Sequence, residues 1–498
     1  MTIEVHVDYD DGGFAGWVLS SAGPEAPVWC QIVVDLEHRA SILADEFLPA
    51  IGDRYGGRCC FGFSYRMPVV LCDGRAHRVD LIFAFEKDGA AVHYGLPATF
   101  RSFGAPATGE TDGPATAHAV CRAQDLPIRL LEGTPDPESM GAAAPAILVT
   151  APRRRMVHAP PREATGAAGF GHAEYVTHPA YLSVLADVVV RPATGAVYVP
   201  GKGVWQDARY LSDGGRLRSD LERLERDGAA GLPTLPGPVL LASSAMNRNY
   251  FHWLMDVLAG VQAGAQAFGR LPPLLLPPLN GWQGDALRRL LGLPPEAAIP
   301  AALPGSWSED GPGQGLVRCE RLIVPSHLGG TAIFPDATVR SLFARLSEGL
   351  PQHPSARRRL FVSRRDSDRP RIVNEAALAE ALAPLGFELV VPGAMSVEAQ
   401  ARCFREAAVV VGSHGAGLVN VGFCVPGTTV VEILGSHYLN SCFYHLCGLM
   451  GHDYYSHTEL VAPHNGRAGN AVSFYVDIKR LLVLLERIPA LRRGKAEE

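Results

Sequence analysis

The chain of 498 residues lacks a strong charge bias, a long apolar run and any CxxC pair of cysteines. Lysine and arginine number 45 against 51 aspartates and glutamates, so the formal net charge is only −6. No basic stripe stands out, which argues against a nucleic-acid partner. Arg153-Arg154-Arg155 and Arg357-Arg358-Arg359 read as local solvated charge. No stretch approaches the roughly 18 apolar residues of a membrane-spanning helix. The opening Met1-Thr2-Ile3-Glu4-Val5-His6 has neither a basic n-region nor an apolar h-region. The ten cysteines contain no CxxC pair; Cys59-Cys60 and Cys442/Cys447 come closest. Metal-ligand spacing is therefore absent, and buried free thiols in a reducing compartment are expected. On these absences a cytoplasmic location is expected, with peripheral contact at the inner face of the membrane as the alternative.

What is present is a chain of ordinary globular composition, 47% hydrophobic and 19% charged, long enough for two or three domains. Residues 1–104 read as an all-β accessory domain, a small sandwich. Runs such as Val28 to Val34 and Val79 to Ala84 are separated by Gly, Asp and Pro turns. Residues 105–145, rich in Ala, Gly, Pro and Thr, read as a linker. Beyond 146 strands alternate with helices. Val188 to Arg191 and Ala196 to Val199 flank a turn. Val239 to Ala242 reads as a strand and Tyr250 to Ala267 as a helix. After about 355 the alternation is cleaner. Helices are expected from Glu375, capped by Asn374, and from Val397, capped by Ser396. The alternation implies parallel sheets, and two such regions in succession suggest two doubly wound domains with a cleft between them. The boundaries read as 146–350 and 351–498, with a C-terminal helix packing back on the first.

The most informative segment is Ser413-His414-Gly415-Ala416-Gly417-Leu418-Val419-Asn420. It follows the apolar run Ala408 to Gly412 and precedes Pro426 to Ile433, giving strand, glycine-rich turn, short helix, strand. Glycines let backbone approach a ligand, and a helix N-terminus presents unpaired N–H groups, which together suit an anion. The spacing G-x-x-G-x-G differs from the dinucleotide G-x-G-x-x-G and points away from NAD. Glu432, ending the next apolar strand, could accept hydrogen bonds from ribose hydroxyls or belong to a buried ion pair. Ser363, Arg364 and Arg365 follow the strand Leu360 to Val362, with Arg369 and Arg371 beyond. Guanidinium forks there suit a diphosphate; a solvated loop is the plainer reading. Upstream, Asn249 can cap a helix from Tyr250. His252 and Asp256 then share a face four residues apart, a candidate general base with its carboxylate, or simply an exposed polar pair.

Taken together, these residues resemble glycosyltransferase family 61. The resemblance rests on Ser363-Arg364-Arg365, Asn374-Glu375, Gly386-Phe387-Glu388, Gln400, His414 to Leu418, Asn420 and Pro426 to Ile433. Upstream it rests on Asn249, His252, Trp253 and Asp256. It extends from near 150 to near 480. It implies a GT-B fold, two facing Rossmann-like domains with the donor held mainly by the second, and inverting transfer from a nucleotide-activated sugar. Gly13 to Trp17 and Ala44-Asp45 resemble, more weakly, a β module fused to bacterial glycosyltransferases.

The expected fold is thus α/β, a GT-B-like pair of Rossmann-like domains preceded by a small all-β sandwich. The expected function is transfer of a sugar from a nucleotide-sugar donor to a glycan, lipid-linked or other hydroxyl acceptor in bacterial surface polysaccharide synthesis. His252 and Asp256 are the expected catalytic pair. Arg364, Arg365, Ser413, His414, Gly415, Ala416, Gly417, Asn420 and Glu432 are expected on the donor, and Asn249 and Trp253 on the acceptor side. No cofactor is expected, because helix N-termini and arginines can stabilise a departing diphosphate. Asp366-Ser367-Asp368 has the letters of a metal-binding DxD but lies in a loop reading. A non-catalytic glycan or nucleotide-sugar binding protein and an NAD-linked oxidoreductase are the competing classes.

Overall fold

The computed structural model describes individual strands and their immediate partners between residues 3 and 205. From there it describes 214–302 apart from 269, then 315–326, 334, 336–351, 357–367, 372–436, 440–461 and 473–492. Most of 105–145, together with Asp45, Asp368, Arg369 and Arg371, lies outside the described residues.

The N-terminal strands form two antiparallel four-stranded sheets. One runs Ile3–Asp10, Gly13–Ser20, Cys59–Arg66, Glu46–Phe47; the other Glu37–Ala44, Val28–Val34, Val79–Phe85, Ala91–Gly95. Alternate residues Val28, Cys30 and Ile32, and likewise Val79, Leu81 and Phe83, are buried, as the two-residue period of a strand requires. Phe63 of the first sheet meets Phe83 of the second edge-to-face at 5.2 Å, so the two sheets face each other as a sandwich.

Two further sheets carry the rest of the chain. The larger has nine strands and mixed direction. Leu274–Leu275, Thr234–Leu241 and Val317–Pro325 run parallel, and the long strand Ala180–Arg191 joins them antiparallel. The alternation of strands and helices foretold only the parallel part. The expected linker contributes Val120–Cys121, beside Gly203–Trp205, and Arg129–Leu131, beside Ala146–Ala151. A buried ion pair ties Arg191 to Asp220 of the helix Gly214–Asp227 at 2.6 and 2.7 Å, and the Tyr198 hydroxyl donates to the same carboxylate.

The smaller sheet is wholly parallel. Its order is Arg162–Thr165, Asp453–Glu459, Thr429–Gly435, Ala407–Ser413, Arg358–Val362, Phe387–Val390. Arg162–Thr165 comes from the far end of the chain, so the polypeptide visits this sheet before it builds the main strand of the larger one. From Arg358 onward the first strand lies between the second and the third. The order reverses there, and in an open parallel sheet the carboxyl ends of the first and third strands, Arg358–Val362 and Ala407–Ser413, are where a ligand crevice forms.

One continuous apolar core joins the two sheets. It contains Leu182, Leu240 and Ile323 from the larger, and Leu360, Val410 and Val430 from the smaller. Side chains of the helices Ala259–Ala267, Asp336–Leu346, Val397–Arg405 and Cys442–Met450 share it. The opposite face of the smaller sheet packs Phe361, Val409, Val411 and Val431 against Leu481, Leu484 and Leu485 of the helix Ile478–Arg487. Among the described residues the helix Ile478–Arg487 therefore covers its own sheet. Six cysteines among the described residues, Cys30, Cys319, Cys403, Cys424, Cys442 and Cys447, are free and buried.

Candidate active site

The crevice at the strand reversal is built from two chain segments. Val362 ends one strand and delivers Ser363, Arg364 and Arg365; Ser413 ends the next and delivers His414, Gly415 and the 3₁₀ helix Ala416–Phe423. The Arg364 side chain crosses directly over Gly415. A Cβ built on Gly415 would lie 2.8 Å from Nε and 2.9 Å from Cζ, so glycine is the residue that leaves room for the guanidinium. Arg364 Nη1 donates to the His414 carbonyl at 3.2 Å and Nη2 to the Ser367 hydroxyl at 3.3 Å. Glu375, at the start of the helix Glu375–Leu382, holds this loop. It accepts from the Ser363 hydroxyl at 2.7 Å, the Arg364 backbone N–H at 3.3 Å and Arg365 Nε at 3.1 Å. Asn374 does not cap that helix as expected. Its amide instead exchanges two 2.9 Å bonds with the Val476 backbone.

His414 is buried, and its Nδ1 lies 2.6 Å from Glu432 Oε1; Tyr454 donates to Oε2 at 2.6 Å. Glu432 has no exposed surface. This corrects the expectation that it meets a ribose: both oxygens are engaged inside, and the carboxylate reaches a ligand only through His414. Asn420 is corrected in the same way. It is fully buried, accepting from the Tyr250 hydroxyl at 3.0 Å and donating to Gln400 Oε1 at 2.7 Å. Ser413 and Gly415 are buried, Ala416, Gly417 and Arg364 half-buried, and Arg365 exposed.

The second motif adjoins the first through that Tyr250–Asn420 bond. Asn249 caps the helix that starts at Tyr250, accepting from the Phe251 and His252 N–H groups at 3.0 and 3.4 Å. The preceding loop is fixed by Asn247. Its side chain accepts from the Ser244 N–H and donates to the Ala193 carbonyl, and its own carbonyl accepts from Gln283. After His252 the helix widens into a π-turn, Trp253–Leu258, a distortion that recurs at functional sites. Nothing in the sequence signals it. His252 Nδ1 lies 2.8 Å from Asp256 Oδ2; 15% of the His252 side chain is exposed against 1% of Asp256. The imidazole is therefore the member of the pair that a substrate can reach. Trp253, expected on the acceptor side, is fully buried against Trp282, with centroids 6.2 Å apart, so any part it plays there runs through packing. The two histidines are bridged by aromatic rings. Phe251 stands edge-on to His252 at 5.2 Å, Phe443 meets Phe251 at 5.8 Å, and Phe443 meets His414 at 5.0 Å.

Two histidine–carboxylate pairs, a guanidinium and a glycine turn thus converge where the two sheets meet. Residues 250–431 match the family described as Glycosyltransferase 61. The protein is a glycosyltransferase. The matched segment starts at Tyr250 and ends one residue before Glu432, so it contains both histidines, Asp256, Arg364 and the glycine turn. The glycosyltransferase has a sugar donor and an acceptor as its substrates. No curated protein matches the chain. No helix among the described residues is long and apolar enough to cross a membrane. Among the same residues no group of three or more His, Cys, Asp or Glu side chains is arranged to hold a metal ion. Asp366 of the DxD letters accepts from the Gly393 N–H at 2.7 Å, a loop-fixing role.

Sequence reasoning missed Tyr250, Phe443 and Tyr454. Each acts through a partner distant in the chain, and none belongs to a local pattern that spacing could reveal.

Proposed function

We propose that the enzyme is an inverting glycosyltransferase of GT-B architecture that takes its sugar from a nucleotide donor. The observation that carries this reading is the Arg364 guanidinium lying over Gly415 at the strand reversal. A diphosphate there meets a delocalised cation, the start of the 3₁₀ helix and His414, all of which favour negative charge as it leaves. Arg365, Ser413, Ala416 and Gly417 complete the donor side. His252 serves as the general base that takes the proton of the attacking acceptor hydroxyl, and Asp256 orients its imidazole. Attack from the face opposite the departing diphosphate inverts the anomeric carbon. The acceptor is a glycan or other hydroxyl compound, free or lipid-linked, and the setting is assembly of bacterial surface polysaccharide.

Leaving-group stabilisation by Arg364, His414 and helix N–H groups asks for no metal. Turnover of the nucleotide-sugar, followed by release of the nucleoside diphosphate, is expected to continue in EDTA. Complete loss in EDTA, restored by Mn²⁺ or Mg²⁺, would contradict this. A chain that binds nucleotide-sugars but never consumes them with any acceptor would be a binding protein instead.

A further inference from the structure

The parallel register pairs Val430 with Tyr454 and Glu432 with Ser456, so Tyr454 and Glu432 lie on the same face of neighbouring strands. From there the Tyr454 hydroxyl reaches diagonally to Glu432 Oε2 at 2.6 Å, while His414 Nδ1 takes Oε1 at 2.6 Å. Among the described residues no arginine or lysine is recorded on this carboxylate. The buried thiols of Cys447 and Cys442 lie beside the pair, and Phe443 packs on His414. A fully buried carboxylate with two hydrogen bonds depends heavily on each of them. Tyr454 is itself fixed from above by Tyr444, edge-to-face at 5.4 Å, on the helix Cys442–Met450. Burial, followed by the adjacent Glu432 charge, drives the Tyr454 hydroxyl well above its ordinary range, which keeps it a proton donor at any working pH.

We propose that Tyr454 is a positioning residue for His414, acting through Glu432. The hydroxyl holds Oε2, which fixes the carboxylate plane. Oε1 then fixes the imidazole with its Nδ1–H toward Glu432 and its Nε2 edge toward the crevice. Tyr454 and Glu432 both lie beyond the matched segment 250–431, so the orienting arm is supplied by chain outside it. The proposal rests on the reading that His414 faces the donor diphosphate.

The test uses the full chain with ¹⁵N-labelled histidine and the variants Tyr454→Phe, Glu432→Gln and His414→Gln. A histidine Nδ1 proton bonded to a buried carboxylate gives a far-downfield proton signal, assigned here by its loss in His414→Gln. In Tyr454→Phe this signal is expected to shift or broaden. Turnover should fall about tenfold, the scale of one hydrogen bond to a charged group, while the donor KM stays within about twofold, because His414 acts on charge that develops in the transition state. A role confined to stability would lower the melting temperature and leave kcat and the downfield signal where they were, and that result overturns the proposal. Should Tyr454→Phe fail to fold, Glu432→Gln decides. Its amide oxygen can still accept from His414 while its NH2 turns to donate to the Tyr454 oxygen, so the charge is removed, and a turnover loss of about 10²-fold is expected; native turnover would overturn the proposal. If the native chain binds no nucleotide-sugar, the donor reading falls, yet the response of the downfield signal to Tyr454→Phe still decides whether Tyr454 orients His414.

Discussion

In the proposed reading His252 acts on the acceptor and Asp256 holds its imidazole. The carboxylate is almost wholly covered and bonded to Nδ1 at 2.8 Å, while the imidazole keeps an exposed edge. Replacing either with asparagine should lower transfer at saturating donor by about 10²-fold or more, with donor affinity unchanged in the folded variants. Near-native turnover in both would put the base elsewhere, His414 being the next candidate. At this scale the sequence was legible where partners are close. The His252/Asp256 spacing and the Asn249 cap depend only on local helix geometry. It was silent where the partner is remote. Asn374 looked like a cap because it precedes a helix, but Val476 claims its amide. Glu432 looked available to a ribose because it ends a strand, but Tyr454 and His414 enclose it.

The 3₁₀ helix Ala416–Phe423 carries the glycine turn and is held from several sides. Gly422 leaves room for the Phe343 ring, and buried Asn420 ties Tyr250 to Gln400. His452 Nε2 donates to the Val421 carbonyl at 2.9 Å, and burial holds this histidine down at about 4 from an ordinary 6.5. It is therefore neutral when folded, and between pH 6.5 and about 4 the unfolded chain binds a proton that the native chain does not. Stability is expected to be level in this respect above pH 6.5 and to fall by about 3 kcal/mol on acidification to pH 4. Urea melts of the native protein and of His452→Asn across that range check it. The contribution is His452's if the acid-linked loss shrinks in the variant, and not if both proteins lose stability in parallel. The existence of these elements could be read from periodicity and turn residues. The π-turn after His252 could not, because it arises from packing rather than composition.

Over the whole molecule, the parallel sheet follows from the clean strand–helix alternation after residue 355, whereas its strand order, with the reversal, does not. The antiparallel half of the larger sheet was not legible, since short apolar runs carry no direction. Nor was the return of Arg162–Thr165 to the smaller sheet, a contact across almost 300 residues. These crossings bear on where the chain can be cut. Val120–Cys121 and Arg129–Leu131 pair with strands of the larger sheet, so removal of everything before 146 strips two of its edges. A chain starting at 105 keeps them. It is expected to stay folded and to transfer sugar to a small soluble acceptor, because His252, Asp256, Arg364, His414 and Gly415 all lie later in the chain. A folded chain of that kind with no transfer would show that the sandwich takes part in the chemistry. The central claim, that the strand reversal under Arg364 is the donor site, is tested most directly by titration calorimetry. UDP-, GDP- and CMP-sugars are titrated into the native chain and into Arg364→Ala. At least one donor should bind the native chain, and the substitution should weaken it by about 1.5–3 kcal/mol, the scale of a charged hydrogen bond. Equal affinity in the two chains, or no binding of any donor to the native one, would contradict the account.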